Sequence, residues 1–321
     1  MTTNRPRHQT APPSNGKTRY LYYPGCSLKS TGNPYEVSCL AVFEALQIPL
    51  EELEDWNCCG ATAYMGIDAQ KAFALAARNL ALAERQAAAW DSDSSEVNLV
   101  APCNACYLSL VKVQKHMAAF PDIRERIERG FRAVGLEYQG RVRVRHPLDV
   151  LLNDIGLEAI AGRVSTPLSA LRVACYYGCQ MVRPYATFDD ANNPTTMDRL
   201  LQSLGATTID WPLKTRCCGG SLTGTIAPVG LRLNYILLKE AERRGANVLA
   251  TACPLCQFNL ECYQGEICRE HRDFFEMPVV YFTQLTGLAL GLSAAQTALN
   301  RLFVPLKPPY CREEEVSRAS A

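Results

Sequence analysis

The chain has 321 residues, of which 48% are hydrophobic and 20% charged, and its formal net charge at pH 7 is +1. These values are typical of a soluble globular protein of about two domains, and they give no electrostatic reason to expect a nucleic acid partner. No apolar run approaches the roughly 20 residues that span a bilayer, so direct membrane insertion is not expected.

The unusual feature is the cysteine content, which is 15 residues. Disulfide-stapled proteins are normally small and secreted, and they carry a signal peptide. Here residues 1–18 are polar, rich in Pro, Asn and Thr, and contain no apolar segment. We therefore expect a disordered N-terminal tail at 1–18, a cytoplasmic location, and cysteines that bind metal rather than form disulfides.

The hydrophobic pattern predicts the elements of the first half in chain order. They are a strand at 19–23, a helix at 33–47, a long helix from Asp68 to about Trp90, a strand at 97–101, helices at 103–119 and 121–132, and a strand turning into a helix at 143–152. A polar linker at 91–96 separates the long helix from the strand that follows.

The second half repeats this order. It is predicted to contain a strand at 171–177, a helix at 195–204, strands at 207–211 and 247–251 on either side of a helix at 226–244, and a final segment at 278–291 that matches the pattern of 144–156. Because strand and helix alternate, the expected fold class is α/β. We predict an internal duplication: two small, Rossmann-like domains at 19–165 and 166–292, related by a pseudo-twofold axis, with mostly parallel sheets and a C-terminal tail at 293–321.

Each half carries the same cysteine motif: a lone cysteine after glycine, an adjacent pair followed by glycine, and a Cys-x-x-Cys pair. The five positions in the first half are Cys26, Cys58, Cys59, Cys103 and Cys106, and those in the second half are Cys179, Cys217, Cys218, Cys253 and Cys256. They fall where predicted strands end and helices begin, which is the edge at which open α/β sheets bind ligands. A helix N-terminus also lowers a thiol pKa and favours the metal-binding thiolate.

Thiolate ligands select zinc, Cu(I) or iron–sulfur clusters. A structural zinc ion takes four ligands, which leaves one of the five thiols in each half without a role. An iron–sulfur cluster contains several irons and can use the fifth thiol. Zinc in one half and a cluster in the other remains an alternative. The sequence contains no regular ferredoxin motif, so a partner would have to bring electrons from a conventional carrier.

With these motifs the chain resembles the B subunit of heterodisulfide reductase, which is built from two cysteine-rich CCG domains. The resemblance covers roughly residues 19–291 and is carried by Tyr-Pro-Gly-Cys26, Cys58-Cys59-Gly60, Tyr-Gly-Cys179, Cys217-Cys218-Gly219 and Cys253-Pro-Leu-Cys256. One departure is the 43-residue gap between Cys59 and Cys103, which is longer than the family pattern. The additional length coincides with the polar linker, so we interpret it as a loop insertion.

The resemblance implies that each half holds a noncubane [4Fe-4S] cluster on its five cysteines. It also implies a reaction, the reductive cleavage of a disulfide. The electrons would be relayed from two partners, a ferredoxin-like protein (the C subunit) and a flavin protein (the A subunit). Two one-electron clusters facing each other across the pseudo-twofold axis would supply both electrons.

Several other residues have competing interpretations. Lys29 and Arg183 follow the lone cysteines and would bind an anionic substrate group or balance cluster charge, although each would equally suit a solvated surface. His146 is expected to be a hydrogen-bonded, partly buried histidine. Cys39 is expected to pack in the core, and Cys175 is the rival of Cys179 for the lone position. The sequence assigns no ligand role to Cys262, Cys268 or Cys311.

Two further functions compete with disulfide cleavage. CCG subunits also occur, by resemblance, in lactate, glycolate and sulfur-oxidation complexes, where the chain would transfer electrons to or from another substrate. The alternative from a different class is a zinc-stabilised assembly module without redox activity. The sequence identifies neither the disulfide nor the physiological direction of the reaction.

Overall fold

The computed structural model describes residues 18–61, 63–90, 96–274 and 276–306. The predicted tail at 1–18 therefore falls almost entirely outside the described residues, as do most of the linker at 91–96 and the last part of the chain with Cys311. The two halves of the predicted duplication are both described.

The described residues of the first half form four short strands and eight helices. The strands are β1 (Tyr20–Tyr22), β2 (Leu50–Glu52), β3 (Val97–Val100) and β4 (Val142–Arg145). The helices are α1 (Gly25–Leu28), α2 (Asn33–Ala45), α3 (Ala63–Ile67), α4 (Ala69–Ala87), α5 (Asn104–Ala119), α6 (Pro121–Ala133), α7 (Pro147–Asp149), which continues as a π-helix at Val150–Ile155, and α8 (Leu157–Ala161).

The described residues of the second half repeat the four strands and form six helices. The strands are β5 (Arg172–Tyr176), β6 (Thr207–Thr208), β7 (Val248–Thr251) and β8 (Val279–Tyr281). The helices are α9 (Thr196–Ser203), α10 (Leu222–Thr225), α11 (Ala227–Arg243), α12 (Pro254–Cys262), α13 (Gln264–Glu270) and α14 (Phe282–Ala289), followed by a 3₁₀ turn at Leu299–Arg301.

The strands form two four-stranded sheets with equivalent strand orders, β2-β1-β3-β4 and β6-β5-β7-β8. Every pairing in both sheets is parallel. The predicted α/β class and the duplication are therefore confirmed. Because parallel strands place all their carboxyl ends at one edge, the loops that follow β1 and β3 meet in space, and so do those that follow β5 and β7.

Two strands differ from the prediction for local reasons. Strand β2 was not predicted, because its three residues include two exposed glutamates. The predicted strand at 207–211 ends at Thr208. Trp211 turns inward instead and donates its indole N–H to the carbonyl of Cys175 at 3.0 Å, and Pro212 cannot donate to a sheet ladder.

The two halves share one core. Helix α14 of the second half packs against α2 of the first half, where the rings of Tyr35 and Tyr281 stack with their centroids 4.4 Å apart. Beside this stack, the hydroxyl oxygens of Ser38 and Thr283 lie 2.6 Å apart in a buried hydrogen bond. The main cluster of buried apolar residues accordingly draws on both halves.

The described part of the predicted C-terminal tail, residues 293–306, belongs to this core. Ala294, Leu299, Leu302 and Leu306 are buried in the main cluster. Among the helices of the described residues, none has both the length and the apolarity needed to cross a membrane.

Candidate metal centre

The adjacent cysteine pairs lie in turns that glycine makes possible. Gly60 has φ +71° and Gly219 has φ +99°, a region that residues with a Cβ rarely adopt. In this conformation the backbone N–H of Gly219 donates to Sγ of Cys217 at 3.3 Å, and Gly60 makes the equivalent bond to Cys58. Such turns form small anion-binding concavities, which suits a thiolate.

The lone cysteines follow glycines that leave room for another cysteine of the same half. Gly25 and Gly178 have nearly equal positive φ angles, +67° and +68°. A Cβ at Gly25 would lie 2.8 Å from Sγ of Cys106, and one at Gly178 would lie 3.2 Å from Sγ of Cys256. A side chain at either position would therefore fill space beside the thiols.

The Cys-x-x-Cys pairs begin helices α5 and α12. Cys103 and Cys253 occupy the N-cap positions in extended conformations, directly after β3 and β7. The prediction that strands deliver these pairs to helix N-termini is confirmed. The backbone N–H groups at these ends stabilise negative charge on sulfur.

Together the ten predicted ligands form one continuous row of thiols. In the first half, the Sγ atoms of Cys26 and Cys58 are 3.7 Å apart and those of Cys59 and Cys106 are 3.4 Å apart. In the second half, those of Cys218 and Cys256 are 3.6 Å apart. The remaining contacts within the halves join Cys58 to Cys59, Cys106 to Cys103, Cys256 to Cys253, Cys218 to Cys217 and Cys217 to Cys179.

The two halves of the row meet at their Cys-x-x-Cys pairs, because the side chains of Cys103 and Cys253 contact each other. This junction is buried. Cys26 and Cys58 at one end are exposed, and at the other end Cys217 is exposed and Cys179 partly exposed. None of the sulfur separations approaches the roughly 2.05 Å of a disulfide bond, and all fourteen described cysteines are free.

Contact between neighbouring thiols lowers the pKa of one partner and raises the pKa of the other. The thiols of Cys106 and Cys58 lower the pKa of Cys59 to about 3, because they donate hydrogen bonds to its thiolate. In the second half, Cys179 and Cys218 lower the pKa of Cys217 to about 2 in the same way. Each half therefore presents a stable thiolate, which is the form that binds metal.

Two tyrosines form hydrogen bonds with the backbone next to the cysteine pairs. The hydroxyl of Tyr23 donates to the carbonyl oxygen of Asn57 at 2.8 Å, and that of Tyr176 donates to the carbonyl oxygen of Arg216 at 2.6 Å. Each carbonyl belongs to the residue before the pair, and each tyrosine lies three residues before a lone cysteine. Sequence reasoning did not assign these tyrosines a role, although their equal offset from the motif was a readable signal.

A second pair of residues missed by sequence reasoning contacts the sulfurs directly. Asn259 donates from Nδ2 to Sγ of Cys218 at 3.4 Å, and the hydroxyl of Ser109 hydrogen bonds to Cys59. Both follow a Cys-x-x-Cys pair by three residues, so the offset was again visible in the sequence.

The cations near the lone cysteines are engaged in structural contacts. The ammonium group of Lys29 lies 2.6 Å from a carboxylate oxygen of Glu36 and 2.8 Å from one of Glu52. The guanidinium of Arg183 donates to the carbonyl oxygen of Thr215, two residues before Cys217. Arg183 thus lies beside the second cysteine pair, and Lys29 is tied to α2 and β2.

His146 is fully buried rather than partly buried, and both ring nitrogens are occupied. Its Nδ1 accepts from the N–H of Leu148 at 3.2 Å, so Nε2 carries the proton that is donated to the carbonyl of Pro102 at 3.1 Å. Burial lowers the pKa of His146 to about 4, which keeps the ring neutral. The expectation of a hydrogen-bonded structural histidine agrees with these contacts.

The four described cysteines outside the motif make no contact with the thiols of the row. Cys39 and Cys175 are fully buried, and Cys262 and Cys268 are partly buried. Burial raises the pKa of Cys175 well above its usual value, with Asp198 adding to the effect. Cys179 contacts Cys217 of the row, whereas no such contact with a described cysteine is seen for its rival Cys175.

The surroundings of the row fit a group that accepts hydrogen bonds. Within the described structure, the hydroxyl groups of Tyr35 and Thr251 are buried without a hydrogen-bond partner. Thr251 lies two residues before Cys253, and Tyr35 is close enough to Cys103 and Cys253 to interact electrostatically with them. Sulfide ions of a cluster would provide acceptors for such donors, and its irons would offset the buried thiolates. Across the described ranges, no group of three or more Cys, His, Asp or Glu side chains surrounds a single metal-ion position.

Comparison with known proteins agrees with this geometry. The profile of the cysteine-rich domain family named CCG matches residues 20–111 and 173–261, which is more than half of the chain. The chain belongs to the CCG family. Both matches begin at the first strand of a half and extend past its Cys-x-x-Cys pair, so each domain contains one complete motif.

Several relatives of the CCG chain are subunits of reductases. It is 30% identical to the 8-methylmenaquinol:fumarate reductase membrane anchor subunit of Wolinella succinogenes, over 88% of this chain and 95% of the relative. It is 28% identical to a protein of Archaeoglobus profundus that is named as similar to the heterodisulfide reductase B subunit, over 87% and 93%. It is also 27% identical to the B subunit of the ferredoxin:CoB-CoM heterodisulfide reductase of Methanosarcina mazei, over 86% and 91%.

The predicted resemblance to the B subunit of heterodisulfide reductase is thus confirmed. Among solved structures, a hypothetical protein from Helicobacter pylori superposes with a TM-score of 0.71 over 94% of this chain at 13% identity, which shows a shared fold. This chain spans about half, 55%, of that protein. The CCG domains and the relatives support an iron–sulfur electron-transfer subunit that works with partner subunits in a reductase.

Proposed function

We propose that this chain is the iron–sulfur subunit in which a cytoplasmic heterodisulfide-reductase-like complex cleaves a small-molecule disulfide, or forms it in reverse. The observation that carries the proposal is the row of ten thiols, which the duplicated motif builds as two sets of five that meet at Cys103 and Cys253. The relatives named after the B subunit of heterodisulfide reductase support the same activity.

In this proposal each set of five cysteines holds one noncubane [4Fe-4S] cluster. When bound, the clusters supply two electrons, one each, and irons that act as Lewis acids toward thiolates. The protein supplies the rest. The glycine turns direct N–H groups at Cys58 and Cys217, and the tyrosine hydrogen bonds fix the backbone in front of each pair.

The reaction needs two electrons and two protons to convert one S–S bond into two thiols. A ferredoxin-like C subunit together with a flavin-containing A subunit would deliver the electrons, because no regular ferredoxin motif occurs in this chain. The exposed cysteines at the two ends of the row are where a partner or substrate reaches it. Arg183, beside the second cysteine pair, is better placed than the doubly paired Lys29 to meet an anionic substrate group.

Anaerobic purification followed by iron, sulfide and EPR analysis tests the proposal. Two clusters predict about eight irons and eight sulfides per chain, and the reduced protein should be reoxidised by a disulfide with release of two thiols. Cys217→Ser should remove the second cluster signal and abolish disulfide reduction, whereas Cys262→Ser, outside the row, should leave both intact. Full spectra and full disulfide reduction in Cys217→Ser would contradict the proposal.

The Wolinella succinogenes relative favours a second candidate, in which this chain transfers electrons while another protein of the complex converts the substrate. Lactate, glycolate or sulfur-oxidation complexes would be settings of this kind. In that case both clusters would form, but disulfides would not reoxidise the reduced chain. A zinc-stabilised module would instead contain one or two zinc ions without sulfide, and zinc in one half only would give about four irons.

A further inference from the structure

We infer that the two sites differ in reduction potential, and that the second site, built on Cys217 and Cys218, has the higher value. The difference arises from Asn259 in the second half and Ser109 in the first, which occupy equivalent positions but donate differently to sulfur. The inference rests on the proposed function only in requiring that both sites hold clusters.

The two residues are matched by sequence and by position. Ser109 follows Cys106 by three residues on α5, and Asn259 follows Cys256 by three residues on α12. Each hydrogen bonds to the second cysteine of the adjacent pair in its own half, Cys59 or Cys218. Both side chains are buried, Ser109 with 5% exposure and Asn259 with 1%.

The amide of Asn259 is fixed in one orientation. Its Oδ1 accepts from the hydroxyl of Thr223 at 2.8 Å, so Nδ2 must face the opposite side. There Nδ2 donates to the carbonyl oxygen of Gly220 at 2.7 Å and to Sγ of Cys218 at 3.4 Å. An N–H group therefore stays directed at the sulfur.

Ser109 offers a single O–H group, which rotates about its C–O bond. Thr223 orients Asn259, but the hydrogen bonds of the described residues include no equivalent contact that orients the Ser109 hydroxyl. Hydrogen bonds to cluster sulfurs stabilise the reduced state, which carries the additional negative charge. The amide donor of Asn259, which is fixed by its surroundings, therefore favours reduction of the second site more than the rotatable hydroxyl of Ser109 favours reduction of the first.

The charged residues that precede the two cysteine pairs also favour a higher reduction potential at the second site. Segment 51–57 contains four carboxylates and no cation, whereas segment 210–216 contains one carboxylate and two cations. Arg19, Lys29 and Arg78 pair with three of the four carboxylates, and Lys214 of the second segment pairs with Asp198. These ion pairs reduce the difference without reversing it. Negative surroundings oppose the addition of an electron at the first site.

One difference opposes the inference. Cys26 is exposed whereas its equivalent Cys179 is only partly exposed, and water stabilises the more negative reduced state. This affects one thiol of five at each site. We expect the direct hydrogen bond and the charges before the pair to outweigh it. Electrons that enter the row at either end would then come to rest at the second site.

The experiment is an EPR-monitored redox titration of the purified complex with wild-type chain, Asn259→Ser and Ser109→Ala. Asn259→Ser gives the second site the donor of the first, so the higher of the two midpoint potentials should fall and the gap should narrow. Ser109→Ala should lower the other potential and widen the gap. We expect at least a tenfold change in the oxidised-to-reduced ratio, which is about 59 mV for one electron.

Asn300→Ser makes the same substitution at an exposed position and should move neither potential. Iron and sulfide content is measured for each variant, so that loss of a cluster is distinguished from a shifted potential. The inference is overturned if the higher potential is the one that Ser109→Ala moves, or if intact clusters show no shift in either variant. A wild-type protein without clusters would overturn the proposed function as well.

Discussion

At the scale of single residues, the glycines before the lone cysteines leave different amounts of space. A Cβ at Gly25 would come within 2.8 Å of Sγ of Cys106, a distance that real structures do not tolerate, whereas at Gly178 the nearest sulfur is 3.2 Å away. Both positions also have positive φ, which costs a residue with a Cβ roughly 1–2 kcal/mol. The first site is therefore more sensitive than the second to a larger residue at the glycine position.

We expect Gly25→Ala to displace Cys106 and to lose the metal of the first site, and Gly178→Ala to lose less metal from the second. Iron content per chain after anaerobic purification checks this order. Gly66→Ala serves as the control, because a Cβ there meets no atom within 4 Å. Equal iron content in all three variants would show that the space beside the thiols does not matter for binding.

The sequence alone singled out the ten cysteines that lie together in the row, but not the residues that surround them. The motif spacing was sufficient because glycine turns and helix N-termini are local features, and these bring each set of five together. Asn259 and Tyr176 act through contacts with residues 40 or more positions away, such as Cys218 and Arg216. A single sequence provides no physical signal for such contacts beyond their repetition in the second half.

At the scale of elements, the contact between α2 and α14 includes a buried pair of hydroxyls. Ser38 also bonds to the carbonyl of Pro34 in its own helix at 2.9 Å, whereas the hydroxyl of Thr283 contacts Ser38 alone in the hydrogen bonds of the described residues. Removing the Ser38 hydroxyl therefore leaves the Thr283 hydroxyl without a partner. A buried unsatisfied group lowers the free energy of unfolding by about 1–3 kcal/mol.

We expect Ser38→Ala to destabilise the protein more than Thr283→Val, and the double variant to be close to Thr283→Val. Urea unfolding of the four proteins gives the coupling free energy. Ser203→Ala is the matched control, because in the described part of the chain that hydroxyl bonds only to the carbonyl of Leu200 within α9. Additive effects in the double variant would mean that the two hydroxyls do not act as a pair.

The helices were predicted more accurately than this packing. The predicted N-cap of α4 is confirmed, since the Asp68 carboxylate accepts from the N–H of Lys71 at 3.1 Å. The helix then ends at Ala87, three residues before the predicted end. Amphipathic spacing shows that a helix has a buried face but does not show what covers it, so the packing of α14 onto the first half was not predictable.

At the scale of the whole molecule, one buried carboxyl connects a metal-site helix to the end of the described chain. Glu261, on α12, accepts from the backbone N–H of Phe303 at 2.9 Å and of Val304 at 3.4 Å. Burial raises the pKa of Glu261 from 4.5 to about 8 despite these bonds. Between these two values the folded protein holds a proton that the unfolded chain releases.

The stability of the protein should therefore decrease as pH rises from 4.5 to 8, by at most about 1.4 kcal/mol per pH unit from this group. Glu261→Gln cannot ionise and should flatten this dependence. The melting temperature of the variant minus that of the wild type should therefore be higher at pH 8 than at pH 6. Thermal unfolding at both pH values measures the effect, with the exposed Glu266→Gln as control. Parallel pH profiles for wild type and Glu261→Gln would exclude Glu261 as the cause.

The core shared by the two halves has a consequence for any chain that contained only one of them. Helix α14 covers α2, and the buried junction of Cys103 and Cys253 lies between the halves, so one half alone would expose both an apolar face and unpaired thiols. An ancestor that encoded a single copy would have needed a second copy of itself to cover these surfaces, as a symmetric homodimer. In a single chain the two halves can differ at equivalent positions, as Ser109 and Asn259 do, whereas the two copies of a symmetric homodimer cannot.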